Sequence, residues 1–187
     1  MKKRLLYLGM MAVTMGLVTT NAVAQDTSEA GEAVTYSLPA MRILDLEGVA
    51  PTLTFAVPLE AGTAIVDVTS STSWINYTSI VATATTNKVS VAITGIVPAG
   101  TTLKVVAAAH AGTGNGTYGT PKAAAVILSS TAQDLITTIG SCFTGTGFTN
   151  GHQLTYTWSV NPASYATVVA AAGAAITATY TILATGI

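Results

Sequence analysis

The stretch ITATYTILATGI, residues 176–187, alternates apolar side chains with threonine almost without interruption. A period of two sends successive side chains to opposite faces of an extended chain. Ile176, Ala178, Tyr180 and Ile182 therefore share one face, and Thr177, Thr179 and Thr181 the other. That is the pattern of a strand with one face in a core and one in solvent. Burying Ile176, Tyr180 and Ile182 would stabilise the fold by about 1.5–3 kcal/mol per side chain. A strand that fills its own sheet on one edge can still offer the other edge to a neighbour. Thr179, Tyr180 and Thr181 are thus the candidate subunit-pairing residues.

The same period recurs upstream. Leu154, Tyr156, Trp158 and Val160 alternate with Gln153, Thr155, Thr157 and Ser159, and this predicts a strand whose apolar face, Trp158 included, is core. Val89, Val91 and Ile93 predict another, as do Leu103, Val105 and Ala107. Leu53, Phe55 and Val57 alternate with Thr52, Thr54 and Ala56, and Ala64, Val66 and Val68 follow, so strands are expected there too. The apolar run Ala123 to Leu128 reads as a further one. Turn chemistry separates these runs. VPAGT (97–101) offers Pro98 and a left-handed Gly100 to join two antiparallel strands. TNGH (149–152) carries Asn-Gly, the strongest hairpin signal in the chain. NPASYATVVAAAG (161–173) suits a short helical turn with Asn161 as cap and proline behind it. Many short strands with little helix predict an all-β protein, an antiparallel immunoglobulin-like β-sandwich in a single domain.

The first residues predict export. MKKRLLYLGMMAVTMGLVTTNAVAQ has a basic start, an apolar stretch of about 14 residues, and small residues at Ala22 and Ala24. A bilayer-spanning helix needs roughly 20 apolar residues. Residues 1–24 therefore read as a signal peptide cut before Gln25, not as a transmembrane anchor. Residues 25–32, polar and small, read as a flexible leader, and 33–187 as the sandwich. The expected destination is the periplasm, the cell surface or the medium. After cleavage four basic residues, Arg42, Lys88, Lys104 and Lys122, face eight acidic ones, a net charge of −4. A chain so poor in bases has no footprint for nucleic acid. Cys142 is the single cysteine, so no internal disulfide can form. It reads as a small buried apolar side chain; an intermolecular disulfide or reactive thiol would need an exposed, electropositive setting.

Chemistry is hard to find. GTGNGTYG (112–119) holds a formal G-x-G-x-x-G at Gly114, Gly116 and Gly119, but Pro121 and a β-like run follow where a dinucleotide site needs a helix. His110 and His152 are the only histidines, and a catalytic zinc site asks for three converging ligands. The chain holds neither a G-x-S-x-G elbow nor an S-x-x-K motif. No enzyme, cofactor or metal is expected. Trp74 and Tyr77 in STSWINYTS are the candidate ligand-binding residues, since aromatic faces stack on sugars; core packing is the competing reading.

The segments SWINYTSIV, IVPAGTTLKVVA, IGSCFTGTGFTNGHQLTYTWSV and ITATYTI resemble a family of exported β-sandwich proteins of Bacteroidetes-type bacteria. More distantly, the last strand with Tyr180 is similar to fimbrial subunits of the chaperone-usher kind. The resemblance implies a surface structural or adhesive protein, pilin-like, pairing with itself or other surface proteins through a strand. The disulfide common in such pilins is impossible here. A monomeric secreted binding module for glycan or protein ligands is the alternative.

Overall fold

A computed structural model describes residues 31–170, 173 and 175–185. The signal peptide (1–24) and leader residues 25–30 lie outside the described residues. Residues 31–37 are exposed and carry no regular secondary structure. The described residues from Leu38 onward form a compact unit of their own.

Within it run β1 (Met41–Gly48), β2 (Val68–Ile80), β3 (Thr86–Thr94), β4 (Thr101–Ala107), β5 (Asn115–Gly116) and β6 (Thr120–Pro121). They are followed by β7 (Val126–Ile127), β8 (Gln133–Ile139), β9 (Cys142–Phe143), β10 (His152–Val160) and β11 (Thr177–Thr185). A 3-10 helix, Pro162–Thr167, is capped by Asn161, whose side chain accepts from the Ala163 N–H at 3.0 Å. Every pairing is antiparallel, and the strands form two sheets packed as a sandwich. The first sheet runs β5-β9-β2-β10-β4-β7 with β1 added on β2; the second runs β11-β3-β8-β6. The predicted all-β sandwich is the fold.

The sheets close on alternating apolar residues. Ile75 and Tyr77 of β2, Leu154 and Tyr156 of β10, and Val105 of β4 meet Val89, Val91, Leu135 and Ile136 of the second sheet. Two polar bridges cross this core. Asn87 of β3, buried, donates Nδ2 to Ser79 Oγ of β2 at 2.8 Å and accepts from Arg42 Nε of β1 at 3.2 Å. Tyr180 of β11 meets Tyr156 of β10, hydroxyl to hydroxyl, at 2.5 Å. Buried polar groups need such partners, because an unpaired one costs about 1–3 kcal/mol.

Four expectations are corrected. Leu53, Phe55 and Val57 form no strand, and the second alternating run becomes one only from Val68; residues 49–67 are a long connection. Leu53 and Phe55 are half-buried whereas Val57 is exposed, so the pattern records a one-sided apolar face without a partner strand. VPAGT does form a turn, with the Thr101 N–H donating to Pro98 O at 3.1 Å and Gly100 at φ +73°. The strands it joins, however, lie in opposite sheets. The Asn-Gly pair makes no hairpin. β9 and β10 lie in tandem along one edge of β2, because β1 holds the other edge of the same residues. Residues 144–151 are an excursion between two stretches of one line, and Gly151 (φ +78°) lets the chain return; a Cβ there would stand 2.3 Å from Ile75 O. Trp158, finally, is only half-buried, packed against Phe55 with ring centroids 4.1 Å apart and the rings tilted by 31°.

Candidate functional site

β11 is where the sequence points and where the fold leaves something unfinished. Its register with β3 is unbroken from Thr177↔Thr94 to Thr185↔Thr86. Tyr180 is in the core, with Ile176, Ala178 and Ile182 packed against it. Thr177, Thr179 and Thr181 face solvent. Of the three candidate pairing residues, Thr179 and Thr181 are therefore outward and Tyr180 inward. Burial pushes the Tyr180 phenol well above its ordinary range, and the neighbouring Tyr156 adds to the effect. The hydroxyl pair thus stays protonated and fixes β11 to the opposite sheet. No described strand pairs with the other edge of β11.

Among the described residues most other sheet margins are guarded, the shorter Val68–Thr72 end of β2 excepted. An unpaired strand edge is a template for another chain, and proteins blunt it with charge, proline or brevity. β1, which lies near β11, carries Arg42, Asp45 and Glu47 in eight residues. β5, β6 and β7 are two residues each, and β6 includes Pro121. β11 has nine residues with neither charge nor proline.

The candidate ligand residues lie on opposite faces of β2. Trp74, 9% exposed, is covered by the 144–151 excursion, with Phe148 edge-on at 6.1 Å between ring centroids. Asn76 beside it donates Nδ2 to Gly147 O at 3.0 Å. Tyr77, 3% exposed, points into the core. Neither ring is open to a sugar, and the two do not converge.

Around Tyr77 the histidines assemble a network that sequence reading did not join. His152 Nδ1 donates to Ala108 O at 2.8 Å, and Tyr77 Oη lies 2.8 Å from His152 Nε2 and within hydrogen-bond reach of Tyr118 O. His110 stacks on Tyr118 with centroids 3.5 Å apart and stands edge-on to His152. Burial lowers the His152 pKa, the Ala108 carbonyl opposes that, and His110 reinforces it. Burial also raises Tyr77 and pushes the Cys142 thiol up to about 11. Burial thus favours the neutral imidazole, phenol and thiol in this network. Among the described residues no three His, Cys, Asp or Glu side chains converge as metal ligands. The glycine run 112–119 is explained by packing: a Cβ at Gly114 would stand 2.4 Å from Phe143 O, and one at Gly116 2.3 Å from Ser141 O. It lets β5 lie against β9. Among the described residues no helix is long and apolar enough to cross a membrane.

No family model, curated protein or solved structure matches the chain.

Proposed function

We propose that the chain is an exported structural or adhesive protein of the cell surface, an immunoglobulin-like sandwich that joins copies of itself or other surface proteins along β11. The observation that carries this reading is the bare outer edge of Thr177–Thr185, nine described residues in unbroken register with β3 and without charge or proline. Strand addition needs only main-chain donors and acceptors in a row, and β11 holds them straight by its unbroken pairing to β3. Few charged side chains, 8% of the chain, leave little local charge to oppose close approach of copies. The likeness of its segments to exported sandwich proteins, pilin-like in the last strand, supports the same reading.

The test is the double variant Thr179→Lys/Thr181→Lys. Both side chains face solvent, so the sandwich should keep its circular dichroism spectrum and melting temperature. The unaltered mature protein should form linear assemblies visible by electron microscopy, and the variant should remain monomeric by light scattering. Assembly undiminished in the variant, or an unaltered protein that stays monomeric at high concentration, would refute pairing through this edge.

A further inference from the structure

Among the described residues nothing closes one end of the sandwich with a strand. β1 stops at Gly48, which pairs with Ser73, so Val68–Thr72 continue without a partner strand on that side beyond the Val49–Thr72 bond. The connection 49–67 crosses this end without forming a strand. Between the sheets it leaves a cleft of about 1070 Å³, just beyond the about 300 to 1,000 Å³ of most small-molecule sites. Phe55, Trp158, Leu103, Val97, Val168 and Ile176 make its walls apolar.

The polar groups on the wall decide what fits. The Thr101 hydroxyl already donates to Pro98 O at 2.7 Å, and Tyr156 is engaged by Tyr180. Ser73 is different: it lines the cleft, is 8% exposed, and its buried hydroxyl has no hydrogen-bond partner. It shares the inner face of β2 with Ile75, two residues on. Among the described residues Glu47 is the only charged one on the wall, and its pairing with Trp74 puts its side chain on the outer face of the sheet. Among the described residues no Lys, Arg or His lines the space. A carboxylate or ammonium taken in here would lose its water and find no counter-charge, which is costly. A slot between sheets about 10 Å apart, from which side chains are missing, accepts one flexible chain.

We infer that this cleft binds an uncharged single-chain amphiphile, an acyl chain with a hydroxyl or ester head of the monoacylglycerol class, whose head group meets Ser73. The site does not depend on strand pairing. It is therefore tested in the Thr179→Lys/Thr181→Lys protein as well as the unaltered one, so that failure of either proposal shows separately.

Bromine quenches an indole it touches, and of the two tryptophans Trp158 lines the cleft while Trp74 lies under Phe148. The mature protein is titrated with dibromostearoyl glycerol below its micelle concentration. Saturable one-to-one quenching is expected, absent in Trp158→Phe and weakened in Ala178→Leu, which narrows the cleft; circular dichroism checks that both are folded. Dibromostearate at about pH 8 should need at least about tenfold more ligand. Ser73→Ala should weaken the glycerol ester about tenfold while raising the melting temperature of the free protein, since it removes an unsatisfied hydroxyl. No saturable quenching, quenching that survives in Trp158→Phe, or an anion bound as tightly as the ester would overturn the assignment.

Discussion

β1 and β11 lie near one another at the margins of two sheets, and both are margin strands of similar length, yet they are built on opposite rules. β1 is shallow in the core, with Leu44 packed against it and Ile43 and Leu46 exposed, and it carries three charges. β11 is anchored by a buried tyrosine and carries none. Charge on a margin strand discourages a second chain, and a strand buried on one face keeps its edge straight. Exposure alone does not make an edge available. β1 is exposed and defended; β11 is embedded and open.

The largest effect should come from removing each strand. Deleting residues 178–187 removes Tyr180, Ile182 and the partner of β3, burial worth about 1.5–3 kcal/mol per large side chain against a total stability of about 5–15 kcal/mol. The truncated chain should lack a cooperative melt and a near-ultraviolet circular dichroism signal. A chain starting at Val49, without β1, should still melt cooperatively at a lower temperature. Equal outcomes for the two truncations would erase the contrast in anchoring.

Acid should act on the sheet that holds β1. Burial lowers the His152 pKa, whereas the unfolded ring titrates near pH 6.5. Below about pH 6.5 the unfolded chain therefore binds more protons, so stability is full above that pH and falls as acid is added. Each unit of lowering is worth about 1.4 kcal/mol. Urea titrations between about pH 7 and pH 5 should show this fall, and a His152→Gln protein should lose it. A flat profile in the unaltered protein would contradict the buried neutral ring.

A smaller loss should follow Tyr180→Phe, which removes the hydroxyl pair with Tyr156 and keeps the ring. About 1 kcal/mol is expected by chemical denaturation. A neutral result would mean that packing alone anchors β11.

The smallest change in stability should come from Asp45→Thr/Glu47→Thr. Asp45 accepts only from the adjacent Leu46 N–H, and the fold should change by no more than about 0.5 kcal/mol. Solubility should nevertheless drop, because β1 has lost two of its three guards. Unchanged solubility would say that charge is not what defends this edge.

Much of the sandwich was legible because period-two alternation reports one buried face, and β3, β4, β10 and β11 each have one. Alternation cannot report the partner strand, which is why Leu53–Val57 misleads: its apolar face lines a cleft and pairs with nothing. Asn-Gly at 150–151 reports a local backbone bend, but tandem pairing of β9 and β10 to β2 is a non-local choice. The Tyr77–His152 network joins residues 75 positions apart, and no spacing rule links them. The bareness of β11 against the charges of β1 could have been found by comparing their residues alone. That both strands are margins could not.

Amide hydrogen exchange, read in the monomer and in the assembled protein, tests the open edge most directly. On assembly the outward amides of Thr177–Thr185 should gain protection while those of Met41–Gly48 keep their monomer rates. Protection gained in Met41–Gly48, or assembly with no change in Thr177–Thr185, would contradict the account.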